Sequence, residues 1–332
     1  MRVFVTGGTG LLGNNIVKEL VARHQAVTAL ARRREARRLL GPGPEVVEGD
    51  LRQVRDFEKR LANTEVLIHA AACYGEYYRQ GARALPGETN VQGTQGLLEA
   101  AERQGVRNVV YISSAAVLKA RDGGPVDETS PYNEQTDDPY FASKVEAEKA
   151  VLRFLDRHPQ IRIVLILPTV MLGPGDVGPT PTGAFVLKLL RGEMRFVLPG
   201  WHRIADARDV ARAVVEAIDQ GRHGERYLVG GRRYSVAEIY QAVTQVSGRP
   251  TPTKQITLRK LLLASRLMLL VSRITGRPPA LKPNIVRRLQ ESFWYSSDKA
   301  ERELGVSFRP LSETMTDTVK WFQSEHPDLV KT

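Results

Sequence analysis

A tyrosine and a lysine lie four residues apart in the stretch "PYFASK" at residues 139–144. The segment that they open, "YFASKVEAEKAVLRFL", is typical of a helix, so Tyr140 and Lys144 would share one face, one turn apart. A nearby ammonium stabilises a phenolate and lowers the pKa of the phenol. We therefore predict that Tyr140 exchanges a proton with a substrate and that Lys144 makes this proton transferable.

A serine hydroxyl would complete such a site. The segment "YISSAAV" (111–117) places Ser113 and Ser114 at the end of an apolar run that is typical of a strand. A hydroxyl at this position could hold the substrate oxygen and stabilise the charge that develops on it. Residue type and spacing leave both serines as candidates.

A glycine-rich turn, "TGGTGLLG" (6–13), lies between the first apolar run and the first helical segment. Gly7 permits the tight turn, Gly10 lets the backbone approach a pyrophosphate, and Gly13 lets the helix pack on the strand. The N-terminus of the helix offers unpaired N–H groups to phosphates. The turn therefore predicts a dinucleotide site with these residues around the cofactor: Gly7, Thr9, Gly10, Leu11, Leu12 and Gly13.

The second apolar run indicates which dinucleotide binds. Sites that select NAD have an acidic residue about 20 positions beyond the glycines, whereas this chain has "TALARRREARR" (28–38), with no acid before Glu35. Planar donors such as Arg32 suit the 2′-phosphate of NADP. The alternative is a solvated, arginine-rich helix start, which is our interpretation of Arg37 and Arg38. NADP(H) is the favoured cofactor, with NAD as the alternative.

The third apolar run ends in "GDL" (49–51). Its position in the series of strands predicts that Asp50 and Leu51 lie beside the adenine. An aspartate after a strand is also a common helix cap, so a purely structural role for Asp50 is the alternative.

Apolar runs and helical segments alternate through residue 168. The runs lack period-two alternation, as parallel strands covered on both faces do, and their order predicts a doubly wound parallel sheet. The expected strands are 2–5, 26–30, 45–48, 66–71, 108–113 and 162–168, and the expected helices are 11–23, 53–61, 91–104 and 140–157.

The pattern changes after residue 168, where Gly and Pro are frequent in "LGPGDVGPTPTG" (172–183). We predict a dinucleotide-binding domain over 1–168, to which a strand and helix around 203–219 return. A smaller, mostly helical, substrate-binding lobe would comprise 169–202 and 220–332.

Composition indicates the class of protein and the kinds of site it can have. The 332 residues include 42% hydrophobic and 26% charged residues, which is typical of a globular protein. The chain has one cysteine, Cys73, so it forms no internal disulfide, and six histidines without the spacing of metal ligands. The N-terminus resembles a strand rather than a signal peptide. We expect a cytoplasmic protein with no metal site and no membrane span.

These motifs together resemble the extended short-chain dehydrogenases/reductases, a family with a Rossmann fold. The matching pieces are "TGGTGLLG", "GDL", "HAAA" (69–72), "NVQGT" (90–94), "YISS" (111–114), "YFASK" and "LPTVMLGPG" (167–175). The resemblance implies a catalytic triad of Ser114, Tyr140 and Lys144, since Ser114 precedes "AAV" as the family's serine does. It also implies that Asn90 organises the backbone and that further residues border the cofactor, namely Ala70, Ala71, Ala72, Pro168 and Thr169.

The residues just after the two serines indicate a branch of this family. Sugar-nucleotide epimerases and dehydratases usually have Tyr-Gly where this chain has Leu118 and Lys119. The chain looks more like the dihydroflavonol-reductase-like branch, which includes proteins named hopanoid-associated epimerases. This resemblance implies an NADP(H)-dependent oxidoreductase acting on a ketone or secondary alcohol of a small, largely apolar molecule. The alternatives are an epimerase or dehydratase with tightly bound NAD, and a non-catalytic NADP sensor.

A basic segment near the C-terminus has no place in this chemistry. Residues 249–290 contain ten Lys or Arg and no Asp or Glu, and Arg259, Arg266 and Arg273 recur every seven residues within 257–277. The segment is either an amphipathic helix that contacts an anionic membrane surface or a lid or core helix with solvated arginines. No aromatic residues interleave with the charges, so nucleic acid is not an expected partner.

The family resemblance also suggests that the protein forms a homodimer.

Overall fold

The structure is a computed structural model that describes residues 1–33, 36–73, 86–120, 124–136, 138–275, 283, 286 and 294–331. Within these residues a parallel sheet of seven strands carries helices on both faces, and a sheet of three strands belongs to a smaller lobe. This arrangement confirms the predicted doubly wound fold. Among the described helices, none has the length and apolar character needed to cross a bilayer.

All six predicted apolar runs form strands. Five of them are largely buried, as in Arg162–Pro168, where six of seven residues are buried, which explains why their sequences do not alternate. The strand Glu45–Glu48 lies at the edge of the sheet, and one of its four residues is buried. The strands are β1 Arg2–Thr6, β2 Ala26–Ala31, β3 Glu45–Glu48, β4 Val66–His69, β5 Asn108–Ile112, β6 Arg162–Pro168, β7 Val170–Leu172, β8 Trp201–Asp206, β9 Arg226–Val229 and β10 Arg232–Ser235.

The helices follow recognisable start signals. Asp138 caps the helix that carries Tyr140, with Pro139 as its first residue, and Ser235 and Glu238 form a capping box. The helices are α1 Leu11–Ala22, α2 Arg37–Leu40, α3 Gly93–Arg103, α4 Pro139–Arg157, α5 Pro181–Leu190, α6 Ala207–Asp219, α7 Val236–Ser247, α8 Leu258–Thr275, α9 Asp298–Leu304, α10 Leu311–Glu325 and α11 Pro327–Lys331.

The strand order places the site. The large sheet runs β3-β2-β1-β4-β5-β6-β9, so the chain proceeds outward in one direction from β1 and then in the other from β4. In register, Thr6 lies opposite His69, and His69 lies opposite Tyr111. Ligands of doubly wound sheets bind where the order reverses, at the carboxyl ends of the strands. Here that point lies between β1 and β4.

Two details differ from the prediction. Residues 53–61 do not form one α-helix but two 3-10 helices, Leu51–Asp56 and Glu58–Leu61. Between them Phe57 leaves the helical conformation and is buried against Phe4, with 6.2 Å between the stacked ring centroids. A continuous helix would not place Phe57 in this position.

The strand that returns to the large sheet is β9, not the strand near residue 203. Strand β8 pairs with β7 and β10 in the smaller sheet, and only its following helix, α6, packs on the large sheet. Residues 226–229 therefore belong to the large sheet, although they fall within the predicted 220–332 segment. The division into a cofactor domain and a substrate lobe stays a prediction.

The smaller lobe has its own hydrophobic core. It packs the three-stranded sheet against α5, α7 and α10 through large buried side chains that include Leu187, Tyr240, Met315 and Phe322. The loop from β7 to α5 contacts helix α1, where Asn15 Nδ2 donates to Pro174 O at 2.9 Å.

Candidate active site

The glycine turn packs so closely that two of its positions exclude a side chain. Gly7 has a φ of +73°, and a Cβ there would lie 2.6 Å from Ala71 N. A Cβ on Gly13 would overlap Gly7 O. Gly10 is different, because among the described residues its Cβ would contact Gly7 O at 3.4 Å and otherwise point into open space. This space at the start of α1 fits the pyrophosphate of a dinucleotide.

A buried histidine joins the strand ends beneath this turn. His69 Nδ1 lies 2.7 Å from Thr6 Oγ1, and His69 Nε2 lies 2.9 Å from Thr94 Oγ1. Burial, with a smaller contribution from the charge of Lys144, lowers the pKa of His69 to about 3. The imidazole is therefore neutral at physiological pH and connects β1, β4 and α3 structurally.

The alanines after β4 lie along the same edge. Ala71 N–H donates to Thr6 Oγ1 at 3.3 Å, so the segment after β4 is tied to the end of β1. Exposure increases outward along this segment, whose residues are Ala70, Ala71 and Ala72. A contact of these alanines with a cofactor stays a prediction.

The two leucines of the turn begin helix α1. Leu11 and Leu12 are 6% and 7% exposed and are the first two residues of α1, where the N–H groups have no intrahelical acceptor. Thr9 is half-buried within the turn. Leu51 is also buried, and a Cβ on Gly93 would lie 3.1 Å from it.

The structure brings Arg32 and Asp50 together at the far end of the predicted cofactor site. Ala31 of β2 lies opposite Glu48 of β3, so the residues that follow leave the sheet side by side. The pKa of Asp50 is lowered, mainly by hydrogen bonds from Arg52 and also by the charge of Arg32. Arg52 Nη2 lies 2.7 Å from Asp50 Oδ2. Arg52 was not predicted from the sequence, although an arginine two residues after a strand-end aspartate was the available signal.

Lys144 points into the protein from α4. Its side chain is buried, its Nζ donates to Ile112 O at 2.8 Å, and the ammonium lies 5.1 Å from the centroid of the Tyr111 ring. Burial lowers the pKa of Lys144 to about 8, against an opposing effect of the Glu148 carboxylate. Ile112 is the last residue of β5, so this contact ties the tyrosine helix to the serine strand.

Tyr140 is the second residue of α4, one turn before Lys144. Its N–H donates to Asp138 Oδ1 at 2.9 Å, and its ring is 8% exposed. Ser143 Oγ donates to Tyr140 O at 2.7 Å and accepts from Asn90 Nδ2 at 2.9 Å. Asn90 Oδ1 also accepts the Cys73 N–H at 2.7 Å. Asn90 therefore organises the backbone around α4, the role that the family resemblance implies.

The two candidate serines have different surroundings. Ser113 is 5% exposed, and its hydroxyl donates to the buried carboxylate of Glu148. Ser114 is only half-buried, and its Oγ accepts the Ala116 N–H at 3.2 Å at the start of a short 3-10 turn. Of the two, Ser114 is the one that a substrate could reach.

A buried network around Glu148 was not found from the sequence. Glu148 is fully buried, pairs with Arg226 Nε at 2.8 Å, and accepts from Tyr132 Oη at 3.1 Å. The guanidinium carbon of Arg226 lies 4.6 Å from the centroid of the Tyr132 ring. A glutamate one turn after Lys144 was the available signal, but nothing in the sequence pairs it with a residue of β9.

Pro168 and Thr169 lie where the large sheet meets the smaller lobe. Pro168 ends β6 opposite Val229, and Thr169 Oγ1 lies 3.1 Å from Arg203 O and 2.9 Å from Gly230 O. Thr169 therefore links the end of β6 to the middle of β8 and to the residue after β9, and any contact with a nicotinamide stays a prediction.

Comparison with known proteins decides the family. The model of the NAD dependent epimerase/dehydratase family matches residues 3–230. The chain belongs to this family. It is an NAD(P)-dependent enzyme of the extended short-chain dehydrogenases/reductases, as its motifs indicated.

Three relatives are similar over nearly the whole chain. Sterol demethylase protein B of Methylococcus capsulatus is 32% identical, covering 97% of this chain and 98% of that protein. A Synechocystis protein provisionally named dihydroflavonol 4-reductase is 31% identical, covering 97% of this chain and 94% of that protein. A Stigmatella aurantiaca protein, 4-hydroxy-2-methyl-3-oxo-4-farnesyl-3,4-dihydroquinoline-1-oxide ketoreductase, is 30% identical, over 96% of both chains. These relatives confirm the predicted resemblance to the dihydroflavonol-reductase-like branch.

Solved structures agree on the fold. The crystal structure of gox2253 is 30% identical, with a TM-score of 0.82 over 98% of each chain. UDP-glucose 4-epimerase of Bifidobacterium longum, solved with NAD+ and UDP, has a TM-score of 0.76 and 22% identity over 99% of each chain. At 22% identity, the comparison with this epimerase shows only that the two proteins share a fold.

Proposed function

We propose that the protein uses NADP(H) to reduce a ketone, or to oxidise the corresponding secondary alcohol, on a small and largely apolar molecule. The observation that carries this proposal is the hydrogen bond from Lys144 to the last residue of β5. It fixes α4, which carries Tyr140, against the strand end from which the accessible Ser114 follows.

Each side chain has a distinct task. A nicotinamide dinucleotide, when bound, supplies or accepts the hydride. In ketone reduction the Tyr140 hydroxyl gives its proton to the carbonyl oxygen, and Ser114 donates a hydrogen bond to the same oxygen. In alcohol oxidation the Tyr140 phenolate takes that proton back. Lys144 remains protonated below about pH 8 and favours the phenolate.

Arg32 supports NADP(H) over NAD. It is exposed at the end of β2, beside Asp50, where an NAD-selective site would have an acidic residue. Its guanidinium would hold a 2′-phosphate through two parallel hydrogen bonds. The glycine turn would hold the pyrophosphate, and the strand ends would hold the remainder of the dinucleotide.

Two observations support an apolar substrate rather than a sugar nucleotide. Leu118 stands where the epimerases have their sugar-contacting tyrosine, and it is fully buried and paired with Tyr132. The relatives named after a sterol and a farnesyl quinoline act, by those names, on lipophilic molecules. The epimerase or dehydratase alternative is supported by the shared fold, and the NADP-sensor alternative by nothing beyond the cofactor site.

Steady-state oxidation of NADPH tests the proposal. The protein should oxidise NADPH in stoichiometric amounts with an apolar ketone, because an epimerase returns the hydride to its own substrate. Tyr140→Phe should remove this turnover and keep NADPH affinity, since the phenol oxygen is needed for proton transfer. Turnover that survives the loss of the phenol oxygen would refute the mechanism. The homodimer and the cytoplasmic location stay predictions.

A further inference from the structure

Helix α8 exposes its apolar side. Among the described residues, ten large hydrophobic side chains are exposed, and five of them lie on this helix: Leu263, Leu267, Met268, Leu270 and Val271, with exposures of 41–60%. At about 100° per residue, Leu263, Leu267, Leu270 and Val271 share one stripe. A helix on a water-facing surface normally turns such a stripe toward the core.

The opposite side of α8 faces the protein. Leu261 and Ser265 are four residues apart, 6% and 0% exposed, and lie roughly opposite the leucine stripe. Ser265 Oγ donates to Leu262 O at 2.8 Å, so its buried hydroxyl is satisfied within the helix. The helix is therefore docked through this side, and the exposed stripe is not the result of an undocked segment.

Cations lie on one flank of the stripe and at its N-terminal end. Arg259, Arg266 and Arg273 are exposed and lie on one side, about 60° from Leu263, and exposed Lys260 lies within the stripe near the start of the helix. Residues 249–290 contain no acidic residue that could neutralise them. Long basic side chains can extend sideways from a buried apolar stripe and keep their charges in water.

We propose that α8 lies on the surface of an anionic lipid bilayer, with its leucine stripe among the acyl chains and its arginines at the headgroups. The charge pattern decides between occupants. A second copy of this chain would bring a like-charged helix against α8, whereas anionic lipids complement both its apolar stripe and its cations. Nucleic acid would complement the charges and leave the stripe in water. This proposal is independent of the proposed function.

Vesicle co-sedimentation with the full chain tests the surface. Vesicles of phosphatidylcholine mixed with phosphatidylglycerol should bind the protein, with affinity that falls as salt is added, and vesicles of phosphatidylcholine alone should bind it far less. Each basic residue at such a surface contributes about fivefold to affinity. The triple change Arg259→Glu, Arg266→Glu and Arg273→Glu should therefore weaken binding at least about a hundredfold.

Two further variants separate the stripe from the charge. Replacing Leu263, Leu267 and Leu270 by Gln keeps every charge and should also abolish binding, while the thermal unfolding midpoint shows that the fold is intact. The exposed residues Lys18, Lys59 and Lys320 provide the matched control, because changing them to Glu alters the net charge equally and should preserve most binding.

Two outcomes would overturn the proposal: the unaltered protein does not bind anionic vesicles, or the control triple loses as much affinity as the arginine triple. If the unaltered protein does not bind vesicles and the leucine variant also dissociates a dimer in sedimentation velocity, the stripe is an interface between copies.

Discussion

Lys144 Nζ lies 2.8 Å from Ile112 O, so the helix that carries Tyr140 is fastened to the strand that ends just before Ser114. The same lysine is buried, and its pKa is lowered to about 8. One side chain thus aligns two elements of the proposed triad, and in the proposed mechanism its charge would favour the Tyr140 phenolate. Single substitutions at Ser113, Ser114 and Glu148 test the alignment of the two elements and the effect of the charge separately.

The first prediction separates Ser114 from its neighbour. Ser114→Ala should lower kcat by about 100-fold or more, because a hydrogen bond to the reacting oxygen is lost. Ser113→Ala should have a much smaller effect on kcat and should destabilise the fold by about 1–3 kcal/mol, because the buried Glu148 loses a donor. Steady-state kinetics and urea unfolding of both variants measure the two effects. The reverse pattern would assign the reaction to Ser113.

The second prediction concerns the alkaline limit of activity. The Glu148 carboxylate raises the pKa of Lys144 against the larger, opposing effect of burial. Glu148→Gln should therefore let Lys144 lose its proton at lower pH. In the alcohol-oxidation direction, the fall of kcat/KM at high pH should move down by on the order of one pH unit.

Tyr132→Phe is the control for that shift. It removes one hydrogen bond from Glu148 and keeps the negative charge. In this variant the fall of kcat/KM at high pH should occur at the same pH as in the unaltered enzyme, although the fold loses about 1 kcal/mol of stability. If kcat/KM falls over the same alkaline pH range in Glu148→Gln and in the unaltered enzyme, this carboxylate does not affect the pKa of Lys144.

The sequence predicted the parts of the site that depend on local geometry. The glycine turn could be located because Gly7 and Gly13 occupy positions where a Cβ does not fit. The strands could be located because burial on both faces demands unbroken apolar runs. Tyr140 and Lys144 could be paired because helical spacing alone puts them one turn apart.

Contacts and strand pairings between residues far apart in the sequence could not be predicted from local geometry. The pairing of Glu148 with Arg226 joins α4 to β9, and nothing local to either residue specifies the other. The four residues of β9 are equally compatible with either sheet, so the strand that returns to the large sheet was misassigned. Phe57 interrupts the expected helix at 53–61 because of its contact with Phe4, which lies on another element.

The third prediction tests the choice of cofactor. Arg32→Ala should raise the KM for NADPH by about 10- to 100-fold, because a charge-assisted contact with the 2′-phosphate is lost, and should leave the KM for NADH nearly unchanged. Arg38→Ala is the matched control, since Arg38 is exposed on α2 and is interpreted as solvated. Equal effects on NADPH and NADH would remove the argument for NADP(H).

The fourth prediction concerns acid stability. Burial holds the pKa of His69 at about 3, whereas the value in an unfolded chain is near 6.5. The unfolded state therefore binds a proton that the native state does not, and the free energy of unfolding falls by about 1.4 kcal/mol per pH unit as pH drops from 6.5 toward 3. His69→Gln should make this fall shallower.

Urea unfolding between pH 7 and pH 4 measures that slope. His24→Asn is the matched control, because His24 is exposed and its positive φ of 57° is one that asparagine tolerates. The control should keep the slope of the unaltered protein. If His69→Gln keeps it too, the buried imidazole is not a source of acid sensitivity.

The fifth prediction contrasts two glycines of the same turn. Gly13→Ala should destabilise the fold by about 3 kcal/mol or more, because the new Cβ would overlap Gly7 O. Gly10→Ala should leave the unfolding midpoint nearly unchanged, because its Cβ would meet Gly7 O at a tolerable 3.4 Å. The added methyl would instead enter the space assigned to the pyrophosphate, and NADPH binding measured by calorimetry should weaken at least about tenfold. Full NADPH affinity in Gly10→Ala would mean that the dinucleotide does not cross the glycine turn.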